Sequence, residues 1–522
     1  MRISPIILLF SLFTTPSLGY VSSGLPAHTH QKWLEQLTVD ICKTQPGDMT
    51  PEMIHSTPQV MSAWAQNPYT HNSNNNKFKN ESHGVECALA VEKLLKRIVD
   101  ERLAGNKAAV PTTSLYNAAL RGWAMAASEK EKGFAAQRAE QILMHMQTLY
   151  EAGDSRVQPN TDSFYSVMLA WSWSREKYAA QRARQVLDWM TRLSETESNN
   201  EVGPSIKCFS LVLSLIAKSG SKTAGREAEE VFKDMESFHA HETTTQHFNL
   251  VLDAWRRSGT PDAAKRTEEI LNYMEKLSAA GVANIKPNLI TYTTVIQTLS
   301  RSRQRSCPKR ATQMLKRLEN DYKDGDESMA PDSIIYNIVL DKWAKSGEHD
   351  AAIQAKKILG RMSRLSEEMK SKKCSPDVYS YTSVMSACAQ TVGSKKDRIR
   401  AYQIARGAFD ELCRRKDEGL SPNHVTYGTM LKACGNLLPR REEYIMNEAK
   451  EIFLSCARDG QVGDMVVSRL RQAACADLYH ELLEGNQKNN LPAEWCRNVR
   501  EKRPNLSTKI KSNQTNKNAL AP

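Results

Sequence analysis

Residues 334–347 read IIYNIVLDKWAKSG, and residues 351–362 follow as AAIQAKKILGRM. In the first segment Tyr336 and Trp343 stand seven apart, with apolar residues at spacings of three and four between them. That spacing puts them on one face of an α-helix. Gly347 ends the segment, as a helix stop does. The second segment places Ala355, the pair Ile358–Leu359 and Met362 on one face of a second helix. The small residue lets the two helices approach, and the larger ones fill the space between them.

The pattern recurs in both directions from this point. Its aromatic appears as Tyr116, Phe164, Phe209, Phe248, Tyr292, Tyr336, Tyr381 and Tyr427, with successive spacings of 48, 45, 39, 44, 44, 45 and 46 residues. Seven positions on come Trp123, Trp171, Ile216, Trp255, Leu299, Trp343, Cys388 and Cys434. The second segment repeats its small residue as Ala139, Ala183, Ala228, Thr267, Ala311 and Ala355, and closes on Met146, Met190, Met235, Met274, Leu318 and Met362. Proline stands five before the aromatic at Pro111, Pro159, Pro204, Pro287, Pro331, Pro376 and Pro422, where it breaks the preceding helix. Thr243 replaces it in the fourth unit. One helical hairpin cannot bury its own apolar face, so neighbours must stack. The sequence therefore specifies an all-α solenoid of antiparallel helix-turn-helix repeats. The tryptophan and methionine stripes are its core and not a cofactor box.

Composition agrees. The chain has 522 residues, more than one core organises, and 40% are apolar. The net charge of +12 and a pI near 9.0 suit a polyanionic partner. The 11 cysteines include no Cys-x-x-Cys pair, which argues against a zinc ribbon or a disulfide scaffold. Cys208, Cys388, Cys434 and Cys475 read as reduced, core-facing residues. No metal or cofactor is expected.

At the N-terminus Arg2 precedes an apolar run, Ile6 to Phe13, and the small residues up to Gly19. Such a run is too short to span a bilayer and resembles a signal peptide. Tyr20 to His30 then lacks acidic residues. The combination resembles the bipartite presequence of algae with secondary plastids. It implies an organellar destination, the plastid first and the mitochondrion as the alternative. The expected organisation is a targeting segment at 1–20, degenerate helical repeats with an Asn-rich loop at 21–110, eight repeats at 111–460, capping helices at 461–496, and a basic disordered tail at 497–522. The mature chain is expected to be a monomer without a membrane span.

The order Pro331-Asp332-Ser333-Ile334-Ile335-Tyr336-Asn337, followed by Ala-x-x-x-Leu-x-x-Met, and the order Pro422-Asn423-His424-Val425-Thr426-Tyr427 resemble the pentatricopeptide repeat. The resemblance covers roughly residues 111–460. The units are longer than the family's usual one, and the surplus lies in polar stretches such as Glu195–Gly203 and Asp321–Ala330, expected as surface loops. The family implies a right-handed superhelix that binds single-stranded RNA, one base per repeat. Base-reading residues then pair across repeats: Asn117 with Asn160, Tyr165 with Ser205, Ser210 with Thr244, Asn249 with Asn288, Thr293 with Asp332, Asn337 with Asp377, and Thr382 with Asn423. Apolar residues that hold the base are implied at Ile290, Ile334, Tyr379 and Val425. The earlier units have Ser114, Asp162, Lys207 and Gln246 there. By the family's pairing rules the later units imply a core G-U-A. Tyr165 and Gly428 fit no rule, and the implied partner of Gly428 is Asp464. The competing reading is that these polar residues only cap helices. Arg301, Arg303, Arg305, Lys309, Arg310, Lys316 and Arg317 form a basic cluster suited to phosphates.

No phosphate loop, zinc-protease, serine-hydrolase or deaminase motif is present in the sequence. The expectation is a non-catalytic RNA binder in organellar RNA processing, stability or translation. Two alternatives remain open: a protein-binding scaffold of the tetratricopeptide kind, and the binding subunit of a separate RNA-processing enzyme.

Overall fold

The computed structural model describes residues 27–65, 83–128, 132–196, 202–282, 284–369, 372–438, 443–483 and 491–499. The targeting segment, the Asn-rich loop and the tail from Arg500 onward lie outside them. The described residues form twenty-two α-helices and no strand. None of these helices is long and apolar enough to cross a membrane. The chain divides into two compact units, 1–260 with 277–286, and 261–276 with 287–522.

In the first unit α1 (Ala27–Lys43), α2 (Pro51–Ala65) and α3 (His83–Leu103) precede three hairpins. These pair α4 (Thr113–Ala126) with α5 (Lys132–Glu151), α6 (Thr161–Ser174) with α7 (Ala179–Thr196), and α8 (Ile206–Ser219) with α9 (Ala224–His239). Helix α10 (Thr245–Ser258) follows. Helices α4, α6 and α8 each pack on their own partner and on the next first helix, so α4, α6, α8 and α10 form one row. The aromatics Tyr116, Phe164, Phe209 and Phe248 are buried in that row, as are Met146, Met190 and Met235 from the second helices.

The indoles add a link the repeat pattern does not announce. Trp123, Trp171 and Trp255 donate their N–H to Glu92, Glu140 and Glu229 on the preceding second helix, at 2.9, 3.0 and 2.7 Å. Arg138 and Arg182 then reach back to the same Glu92 and Glu140. Glu92 and Glu140 thus each tie one repeat to the next through an indole and a guanidinium. Trp255 also lies directly against Gly225 of α9, where a Cβ would overlap its ring.

In the second unit most of α11 (Ala263–Ala279) precedes α12 (Leu289–Arg301) with α13 (Cys307–Lys323), α14 (Ser333–Ala344) with α15 (Ala351–Glu368), α16 (Val378–Ala389) with α17 (Lys395–Arg414), and α18 (His424–Leu437) with α19 (Glu443–Arg458). Helices α20 (Asp464–Ala473), α21 (Ala476–Leu483) and α22 (Ala493–Cys496) close it. Helices α12, α14, α16, α18 and α20 again pack in a row. Here the aromatics are tyrosines, and their buried hydroxyls donate to carboxylates on second helices. Tyr292 reaches Glu275 at 3.1 Å, Tyr336 Glu319 at 2.5 Å, Tyr381 Glu411 at 2.9 Å and Tyr427 Asp459 at 2.5 Å.

Two expectations need correction. The inter-repeat stretches are not wholly surface loops. Each folds back to bury one apolar residue two before the proline: Val157, Val202, Ile285, Met329 and Cys374. Short 3-10 turns at Ser155–Val157, Glu327–Met329 and Lys372–Cys374 make this possible, and the period was available in the sequence. Cys475 is exposed, because it precedes α21 and its sulfur accepts the Leu478 N–H at 3.5 Å. Cys208, Cys388 and Cys434 are buried thiols.

Candidate nucleic-acid interface

The first turn of each first helix carries the residues of interest. The extended residue before the helix is its cap, and five of them hold a side-chain oxygen on the backbone N–H of the third helical residue. Asn160 caps Ser163 at 3.1 Å, Asn288 Thr291 at 3.0 Å, Asp332 Ile335 at 2.9 Å, Asp377 Ser380 at 2.8 Å and Asn423 Thr426 at 3.0 Å. The capping reading therefore holds for this member of those five pairs. It does not hold for the other member. Asn117, Asn249, Thr293, Asn337 and Thr382 lie inside the helix, one residue past the buried aromatic.

Two pairs come together as the spacing predicts. Asn117 Nδ2 donates to Asn160 Oδ1 at 3.1 Å. Asn337 Nδ2 donates to Asp377 at 3.1 Å to Oδ2 and 3.3 Å to Oδ1. Thr382 bonds instead to Thr426, the third residue of the next first helix, at 3.0 Å, and Asn423 caps that same Thr426. Thr293 donates to the Leu289 carbonyl of its own helix at 2.6 Å. Asn249 is half-buried on α10, and Asn288 is half-buried at the start of α12. Ser210 meets the His247 ring at 2.9 Å, while the Thr244 N–H reaches the other ring nitrogen at 3.1 Å. Burial lowers the His247 pKa, consistent with a neutral ring that accepts at Nδ1. Gly428 has no side chain to offer, and Met465 of α20 fills the space beside it. The cap of α20 is Gly463, so Asp464 is not a counterpart of Asp377.

The apolar positions separate the units. Ile290, Ile334, Tyr379 and Val425 are 62%, 60%, 53% and 41% exposed, although each is large and hydrophobic. Each lies three residues before Thr293, Asn337, Thr382 or Gly428, hence on the same helix face. In the first unit the exposed residues at this place are Ser114, Asp162, Lys207 and Gln246. The basic cluster also divides. Arg310 pairs with Glu268, Arg317 with Glu275 at 3.1 Å and Lys309 with Glu348 at 3.9 Å. Arg303, Arg305 and Lys316 are exposed, and no ion pair is formed by any of the three among the described residues.

Two family models match. Residues 331–390 match the PPR repeat family, and residues 364–437 match the pentatricopeptide repeat domain. No curated protein matches the chain. Two crystal structures of the pentatricopeptide repeat protein PPR10 with an 18-nucleotide psaJ RNA element, one a triple cysteine-to-serine variant, are 16% identical with a TM-score of 0.31. They cover 89% of this chain and 72% or 67% of their own. At that score the likeness places no residue and no ligand.

Proposed function

We propose that this chain, a pentatricopeptide repeat protein, binds single-stranded RNA through the first helices of its second unit, reading bases and catalysing nothing itself. One observation carries the reading. An exposed apolar side chain, an interior polar side chain and a capping polar side chain recur in register over three consecutive repeats: Ile290, Thr293 and Asp332; Ile334, Asn337 and Asp377; Tyr379, Thr382 and Asn423. An apolar side chain beside a hydrogen-bonding pair suits a splayed base, whose face stacks while its edge is read.

The edge chemistry follows from the pair. An aspartate only accepts, so Asp332 and Asp377 favour the ring N–H of guanine or uracil. Asn423 can donate, which favours the ring nitrogen of adenine or cytosine. Together with the size rule of the family, in which Thr selects purines and Asn pyrimidines, this gives G-U-A. The net charge of +12 and the unpaired Arg303, Arg305 and Lys316 supply backbone attraction. The acid-free segment after the N-terminal apolar run supports action in an organelle, the plastid first, in RNA processing, stability or translation.

The test is selection from a randomised single-stranded RNA pool by the full chain, with duplex DNA as competitor and salt varied. Enrichment of G-U-A that survives moderate salt supports the reading. Binding without a motif, lost uniformly with salt, contradicts it and leaves a basic protein-binding scaffold.

A further inference from the structure

In four repeats the third residue of a first helix bonds the interior polar residue of the repeat before it. Ser163 Oγ donates to Asn117 Oδ1 at 2.6 Å, and Ser380 Oγ donates to Asn337 Oδ1 at 2.6 Å. The Thr426 and Thr382 hydroxyls lie 3.0 Å apart, and the His247 ring meets Ser210 Oγ at 2.9 Å. Ser163, Ser380 and Thr426 are fully buried, and His247 is 8% exposed. A buried hydroxyl needs a partner. Here its partners are the cap, with Ser163 3.0 Å from Asn160 Oδ1 and Ser380 3.0 Å from Asp377 Oδ1, and, closer, the interior side chain that the RNA reading assigns to a base.

We propose that these third-position side chains are positioning residues, which fix the orientation of the base-reading side chain and so help to set base choice. The proposal rests on the RNA-binding reading above. Its chemistry is clearest at Asn337. Ser380 occupies the amide oxygen, and Asp377 accepts one amide N–H. The pair is left with one N–H from Asn337 and a free lone pair on Asp377 Oδ2. A donor beside an acceptor matches the carbonyl and ring N–H of uracil. Cytosine, with an amino group beside an unprotonated ring nitrogen, presents the reverse order. Turning the amide over would break the Ser380 bond and set two oxygens against each other at Asp377.

The same lock gives a different pattern at Asn117. Its oxygen is held by Ser163, and its amino group donates to Asn160 Oδ1. That Asn160 oxygen also accepts the Ser163 N–H, so the Asn160 amino group faces outward as a donor. Where the third position is apolar the lock is absent: Ile335 follows Thr293, and Val466 follows Gly428.

The experiment measures Kd of the full-length protein for two RNAs that differ only by U or C at the nucleotide facing Asn337. Asp377→Asn identifies that nucleotide by exchanging the preference. Ser380→Ala should lower the U-over-C ratio by about three- to tenfold, the value of roughly one net hydrogen bond. Ser380→Thr, which keeps the hydroxyl as Thr426 does, should restore it. Should Ser380→Ala unfold, Thr426→Val makes the corresponding measurement, A against G, on the nucleotide facing Thr382. An unchanged ratio in a folded Ser380→Ala protein overturns the positioning role alone. A wild-type protein with no base preference overturns the RNA reading and the positioning role together.

Discussion

Each unit repeats the same pattern of buried residues, and the two differ at one recurring exposed position. In the first unit the residue three before the interior polar side chain is Ser114, Asp162, Lys207 or Gln246; in the second it is Ile290, Ile334, Tyr379 or Val425. All eight are exposed, so packing does not choose among them. The buried aromatics, the closing methionines and the caps repeat in both units because the hairpins must stack. A run of large apolar residues left in water asks for another cause, and a ligand with a stackable face is one. The comparison separates what the fold requires from what the surface does.

The sharpest way to break that comparison is to remove the apolar face. Ile334→Asp with Tyr379→Asp should weaken binding of a G-U-A RNA about a hundredfold, taking ~1–3 kcal/mol per stacked base. The melting temperature should stay near that of the wild type, since both side chains are exposed. Lys207→Ala with Asp162→Ala in the first unit should leave the enriched motif unchanged. Equal loss from both pairs, in filter binding or anisotropy, would mean that the units do not differ.

A core change in the first unit should do the opposite. Gly225→Ala forces a methyl group into the Trp255 indole and should cost about 2 kcal/mol in thermal or urea unfolding. The base preference of the surviving folded protein should not change. Arg175 gives a smaller effect. It ends α6 with φ 56°, where Gly220 and Gly259 end α8 and α10 with φ 62° and 63°. Arg175→Gly should therefore raise stability by about 1 kcal/mol.

The smallest effect is a pH slope at His247, whose place is filled by Ser163, Ser380 or Thr426 elsewhere. Burial holds its folded pKa below the ordinary value. As pH falls through about 6.5 the unfolded chain takes up the proton first, so folding stability drops from there toward the folded pKa. Above that range the contribution is complete. His247→Ser should flatten this part of the stability–pH curve, and an unchanged slope would show that another group titrates.

Much of the helical register was legible because it is periodic. Tyr336 to Trp343 and Ala355 to Met362 mark a hairpin by spacing alone, and α14 and α15 stand there. The buried residue before each proline was equally periodic but was hidden by polar neighbours, as Met329 is by Asp326, Glu327 and Ser328. The candidate site was legible as residue types. Its bonding was not, since Ser380 to Asn337 and Trp171 to Glu140 cross between repeats whose lengths vary. Loop length decides which residues meet, and no local pattern states it.

The central claim is that the second unit reads bases through pairs such as Thr293 with Asp332. It is tested most directly by selecting from a random RNA pool with the wild-type protein and with Asp332→Asn. The account predicts that the motif changes at one position only, from guanine to adenine, as an acceptor becomes a donor. An identical motif from both proteins, or none from either, would contradict it.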